Sequence, residues 1–253
     1  MTERQIYEYK SKSQIARVKT ERWVEENGYC LACQSDRLFP TKPNTQARDF
    51  ECDKCGHAYE LKSALRPFGN RVVDGAYSSM MRRIQSATVP SFLLLQYSAT
   101  WNVTNLWAIH HLLITASAIE ERKALALTAR RAGWIGCNIN LSGIPPEGRI
   151  PIIVDGQPIS KGKARALFAP PQQLSHLSPA ARGWTAAVLK HLHELGKSPF
   201  TIRDAYMLED RLSLLYPGNN NVRPKIRQQL QVLRDAGLIR FDARGVYSFA
   251  NSQ

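Results

Sequence analysis

Four cysteines fall in two pairs of identical spacing, Cys30 with Cys33 and Cys52 with Cys55. A two-residue gap makes a turn that aims both thiolates at one point. Two such turns complete the tetrahedron of soft ligands that zinc prefers, with thiolate sulfur at about 2.3 Å. Four protein ligands leave no open position for a substrate, so a structural zinc is expected. Disulfides would need an oxidising compartment, and the opening Met1-Thr2-Glu3-Arg4 has no secretory pattern. Reduced thiols and a cytoplasmic location are therefore expected. Cys137, the remaining cysteine, reads as a reduced, buried, small apolar residue.

A second chemistry is interleaved with the first. Asp49 stands just before the second cysteine pair, and Glu60-Leu61-Lys62 follows it. Residues two apart on a strand face the same side, so Glu60 and Lys62 share a face. If Cys52 to Cys55 makes the turn of a hairpin, Asp49 arrives nearly opposite Glu60. Two carboxylates on one sheet face repel unless a cation sits between them. Magnesium suits that position, with Asp49, Glu60 and the Leu61 backbone as its hard oxygen ligands. A metal held there polarises a phosphodiester and acidifies a water. Lys62 would orient that water or stabilise developing negative charge. The same residues also fit a plain solvated charged strand. Their place on a zinc hairpin in a basic chain favours the metal-nuclease reading.

The partner follows from charge. The 253 residues carry 34 Lys and Arg against 21 Asp and Glu, a net charge of +13, and the isoelectric point is near 9.8. Such a chain is drawn to polyanions, DNA and RNA alike. No apolar run approaches membrane-spanning length. A monomer is expected.

The elements that must position these residues can be read from periodicity. Residues 11–25 read as a helix with Ile15, Val18 and Trp23 on one face. Asp74-Gly75 reads as a turn, and residues 76–87 as an amphipathic helix. Phe92 to Tyr97 reads as a buried central strand and Leu106 to Ile109 as the next. Residues 128–140 have weak periodicity. Trp134 between glycines, beside Arg130 and Arg131, reads as either a DNA-contacting loop or a core Trp with two solvated arginines. Ala169-Pro170-Pro171-Gln172-Gln173 reads as a linker.

Beyond it the pattern changes. Ser178-Pro179 is an N-cap followed by proline at the first helical position, opening a helix that stops at Gly196. A second helix is expected from Thr201 to Leu215, and a third from Pro224 with Ile226, Leu230 and Leu233 as its core stripe. Residues 239–249 read as a hairpin around a charged glycine turn that carries Arg244. Three helices and a hairpin make a winged helix. Outside the stripe the third helix offers Arg223, Lys225, Arg227, Gln228, Gln229 and Gln231, and Arg and Gln are the side chains that read guanine and adenine edges. The expected organisation is a catalytic domain over 1–168, a linker over 169–176 and a winged-helix domain over 177–253.

The chain resembles the DpnI-type methyl-directed restriction endonucleases along nearly its whole length. The resemblance lies in Tyr9-Lys10-Ser11, Cys30-Leu31-Ala32-Cys33, Asp49-Phe50-Glu51-Cys52, Glu60-Leu61-Lys62-Ser63, Asp74-Gly75-Ala76-Tyr77, the block from Thr128 to Ile139, Arg182-Gly183-Trp184-Thr185 and the run from Lys225 to Gln231. It implies an α/β PD-(D/E)xK nuclease core with a four-cysteine zinc hairpin, plus a C-terminal winged helix. It implies double-strand cleavage at GATC sites containing N6-methyladenine, with Asp49, Glu60 and Lys62 as the catalytic set. Arg48 stands where the loose signature has proline and carries no chemistry there. Two other readings stay open: a non-catalytic zinc-containing winged-helix regulator, and a nuclease of the same fold with another target.

Overall fold

The computed structural model describes residues 11–42, 45 and 47–250. Tyr9, Lys10 and the opening residues quoted above lie outside them. In chain order the elements begin with helix α1 (Lys12–Asn27) and strands β1 (Phe39–Pro40), β2 (Phe50–Glu51), β3 (Ala58–Ala64) and β4 (Arg71–Ala76). Helix α2 (Tyr77–Gln85) precedes β5 (Ser91–Tyr97), β6 (Val103–Ile109), β7 (Ile119–Glu121), β8 (Gly136–Asn140), β9 (Arg149–Val154) and β10 (Gln157–Pro158). Helices α3 (Lys161–Gln172) and α4 (Pro179–Glu194) lead to β11 (Phe200–Thr201), α5 (Ile202–Tyr206), α6 (Glu209–Leu215) and α7 (Val222–Asp235). The hairpin of β12 (Ile239–Ala243) and β13 (Val246–Phe249) closes the chain. Among the described residues no helix is long and apolar enough to cross a membrane.

The chain divides into two compact units, each built from several segments. The first gathers the chain up to Gly69, Pro90–His111 and Arg149–Phe168. Its centre is a seven-stranded mixed sheet in the order β1-β2-β3-β5-β6-β9-β10. Strands β3 and β5 run parallel, and the other neighbours run antiparallel. Phe92, Leu93, Leu94 and Leu95 are all buried, as a strand covered on both faces requires. Val24, Tyr29, Leu31, Phe50, Tyr59, Leu95 and Phe168 pack with Cys30 and Cys52 into one core. Cys30 and Cys52 are thus part of the hydrophobic interior, while the turn at 53–56 is exposed.

The second unit gathers Asn70–Val89, Leu112–Gly148 and the chain from Ala169. It holds the antiparallel sheet β4-β8-β7 and the three-stranded sheet β11-β13-β12 with the C-terminal helices. Ser178 accepts the Ala181 amide at 3.3 Å and caps α4 as expected. Thr201 and Asp204 form a reciprocal capping box at the start of α5. On α7, Ile226, Leu230 and Leu233 are buried as expected.

Four expectations are corrected here. Asp74 and Gly75 lie inside β4, at a bulge where the register with β8 shifts, so the glycine marks a bulge and not a turn. Residues 169–172 continue α3, and a 3-10 turn fills 173–176, so the stretch expected as a linker is helical. Buried Ala164 and Phe168 hold that helix on the core, and prolines near its end forgo amide bonds while keeping helical φ. The single helix expected over 201–215 is two, because the amides of Met207 and Leu208 turn back tightly to Asp204 and Ala205. Gln229, expected on the exposed face of α7, is buried and accepts the Thr185 hydroxyl at 2.7 Å.

Candidate active site and metal centre

The hairpin β2–β3 carries the chemistry. Cys52 to Cys55 turns it: the Gly56 amide bonds the Cys52 carbonyl at 2.8 Å, and the Cys52 amide bonds that of His57 at 3.0 Å. Gly56 takes the left-handed φ of +68°, which a side chain would resist. Phe50 pairs with Tyr59, and Glu51 with Ala58. One position further out, Asp49 meets Glu60, which is the juxtaposition that the spacing predicts. The Asp49 amide bonds the Tyr59 carbonyl at 2.9 Å. Its carboxylate Oδ2 accepts the Leu61 amide at 2.8 Å, which fixes that oxygen on the β3 strand. Lys62 Nζ lies 2.6 Å from Glu60 Oε1, and both side chains are largely buried. The Lys62 ammonium also sits 5.7 Å from the Phe92 ring centroid, so the pair is walled on one side by apolar surface. Asp49, through the Leu61 amide, and Glu60, through its pair with Lys62, are thus both held on β3. The donors are hard oxygens, the type that a magnesium ion takes.

The cysteines converge equally well. Their four sulfurs all lie within 4.8 Å of one another, a group that could hold one metal ion. Two separations that cross between the turns are Cys30 to Cys55 at 3.6 Å and Cys33 to Cys52 at 3.5 Å. Edges of about 3.8 Å would follow from a tetrahedron of thiolates around zinc. A disulfide needs about 2.05 Å, so these are separate thiols. Burial raises the Cys52 thiol, but amides at Cys55 and Lys54 and the Cys33 thiol outweigh it and bring it to about 7. Burial raises Cys30 and Cys55 instead. Cys52 therefore loses its proton more readily than Cys30 or Cys55, and a divalent ion would draw out the others. Cys137 is buried and reduced, as expected.

The expected DNA-contacting residues lie in the second unit. Residues 122–135 extend the β7–β8 hairpin, closed by bonds from the Leu125 amide to Trp134 and from the Gly133 amide to Leu125, each 3.0 Å. Arg130 and Arg131 are exposed, and the Arg131 guanidinium stacks 4.7 Å over the half-buried Trp134. Gly136 lets that indole lie on the backbone, since a Cβ there would come within 2.8 Å of the ring. The same loop exposes Arg122, Lys123 and Leu127, which its weak periodicity hid. On α7, Arg227, Gln228 and Gln231 are exposed. Arg223 is paired with Glu209 at 2.6 Å, and Lys225 donates to Gln228 at 2.8 Å. Arg244 is exposed in the β12–β13 turn.

Comparison with known families agrees with this division of labour. Residues 1–176 match the DpnI family, described as the Dam-replacing family. The chain belongs to the DpnI family. Residues 180–248 match its C-terminal component, described as the Dam-replacing HTH domain. A helix-turn-helix domain therefore follows a mixed α/β core that carries a four-cysteine cluster.

Proposed function

We propose that this chain is a methyl-directed restriction endonuclease of the PD-(D/E)xK type. It cleaves double-stranded DNA at GATC sites containing N6-methyladenine, by magnesium-dependent phosphodiester hydrolysis. The reading is supported by the bond of Asp49 to the Leu61 amide and the pairing of Glu60 with Lys62, on a hairpin whose turn belongs to the four-cysteine cluster. Membership of the DpnI family supports the substrate class.

Asp49, Glu60 and the Leu61 carbonyl would hold the magnesium ion. When bound, it supplies the positive charge that polarises the scissile phosphate and acidifies a water. The chain's own residues do the rest. The Leu61 amide keeps the Asp49 carboxylate from rotating away. Glu60 holds the Lys62 ammonium at the reacting face, where it orients the attacking water or offsets charge growing on the phosphate. Zinc at Cys30, Cys33, Cys52 and Cys55 keeps the hairpin closed and takes no part in the chemistry.

For recognition, Arg130, Arg131 and Trp134 would approach DNA from one hairpin, and Arg223, Lys225, Arg227, Gln228, Gln231 and Arg244 from the helix-turn-helix domain. The N6 methyl projects into the major groove beside a remaining N–H donor. Burying one methyl stabilises by only about 1 kcal/mol, roughly a five-fold preference. Reading the mark from both the Trp134 hairpin and the helix-turn-helix domain would multiply that preference. The test is a digest of methylated and unmethylated plasmid side by side, with and without magnesium. Cutting confined to methylated DNA with magnesium supports the proposal, and equal cutting of both plasmids contradicts the methyl requirement.

A further inference from the structure

Tyr59 touches both the cysteine cluster and the acidic hairpin. It is fully buried, one residue ahead of Glu60. Its phenol oxygen accepts the Leu31 amide at 2.8 Å. That leaves the phenolic hydrogen for a second partner, and Cys30 Sγ lies 3.4 Å away. Its carbonyl accepts the Asp49 amide at 2.9 Å. One residue therefore grips the first cysteine turn through its side chain and Asp49 through its main chain. Arg165 steadies the same turn from α3, donating to the carbonyls of Cys30 at 3.0 Å and Ser35 at 2.9 Å and to Asp36 at 3.1 Å. A cysteine turn anchored at both ends transmits its position to β3, and any metal that tightens it also tightens the Asp49–Glu60 pair.

We infer that Tyr59 is a positioning residue, whose phenol couples the four-cysteine centre to the placement of Asp49 and Glu60. The coupling to the cysteines stands on geometry alone, and its effect on cleavage rests on the function proposed above. A tyrosine that merely fills the core needs only its ring. Tyr59→Phe keeps that ring and the Asp49 backbone bond. It removes the hydroxyl partner of Cys30 and deprives a buried amide, that of Leu31, of its acceptor.

The experiment compares the zinc-loaded chain with its Y59F variant in three readings: zinc release to a chromophoric chelator, the thiolate-to-metal charge-transfer band of the cobalt-substituted protein, and the magnesium concentration for half-maximal cleavage. Partners of metal ligands typically alter affinity by about 10- to 100-fold, so Y59F should release zinc at least ~10-fold faster. The cobalt band should shift, and half-maximal cleavage should need more magnesium, with kcat recovering at saturation. An unchanged release rate and band overturn the inference, as does faster release with unchanged magnesium demand. Absence of cleavage from both proteins at every magnesium concentration sinks the nuclease reading, while release and band still judge the bond to the cysteine centre.

If Y59F does not fold, amide exchange in the unaltered chain decides. On zinc removal the Leu31, Asp49 and Leu61 amides should lose protection together while Leu94 keeps it. Loss at Leu31 alone, or equal loss at Leu94, overturns the inference.

Discussion

In the proposed mechanism Lys62 acts on a phosphate from the place where Glu60, two residues away on the same strand, holds its ammonium at 2.6 Å. Lys62→Met keeps most of the buried stem and removes the charge. It should lower kcat by roughly 100- to 1,000-fold, the usual effect of deleting one preorganised stabiliser. DNA affinity should barely change, which gel-shift titration without magnesium would show, and a variant cutting within a few-fold of the unaltered rate would rule out the role. A second residue sets an acid limit. His110 is fully buried, and burial first, then the neighbouring His111 and His57 charges, hold its pKa well below the usual 6.5. The unfolded chain therefore takes up a proton near 6.5 that the fold refuses. Stability is full above that value and falls as pH drops below it, by up to about 1.4 kcal/mol per pH unit. Denaturant titration from pH 7 to 5 should show a slope of this sign, and His110→Asn should reduce it, leaving the share of His57, whose pKa burial lowers to about 4. An unchanged slope would mean that another group refuses the proton.

At the scale of elements, α7 separates two roles along one helix. Arg227 and Gln231 are exposed, whereas Gln229 is buried against Thr185 at 2.7 Å. Arg227→Ala should weaken DNA binding and reduce the salt slope by about 1 if it meets a phosphate. Gln229→Ala should lower the melting temperature instead, because it removes a buried side chain and its bond to the Thr185 hydroxyl, which keeps the Ala181 carbonyl at 3.0 Å. The reverse pattern would place Gln229 at the DNA. The apolar stripe of α7, the Ser178 cap and the central strand β5 were legible in sequence because local periodicity decides them. The cysteine spacing also gave the register of β2–β3, since the turn it closes leaves Asp49 only one possible partner. Gln229 was misread because its neighbours are polar and its partner lies far back in the chain. Nothing local marks Tyr59 or Arg165 either: their partners are 28 and 135 residues away.

At the scale of the molecule, the compact units cut across the expected boundary at 168. Residues 70–89 and 112–148 group with the chain from Ala169. Within that unit Glu147 is almost wholly buried and lies 2.7 Å from His193 of α4. Local pattern could not show this, because the grouping is made by contacts between distant segments. A chain ending at Phe168 would strand the Glu147 carboxylate and uncover the surface that α4 packs on. It should melt at lower temperature and aggregate, in contrast to a domain freed from a flexible linker. A melting temperature equal to that of the full chain would restore the linker view.

The central claim is that hydrolysis is carried by the carboxylates on the cysteine hairpin. Asp49→Ala tests it most directly, because it removes the carboxylate that accepts the Leu61 amide and keeps the main-chain bonds of Asp49 to Tyr59 and Thr41. With methylated GATC plasmid and magnesium, the unaltered chain should linearise the DNA, and Asp49→Ala should cut at least about 100-fold more slowly. The two should bind the methylated duplex equally well. Cutting by Asp49→Ala at near the unaltered rate would place the active site elsewhere.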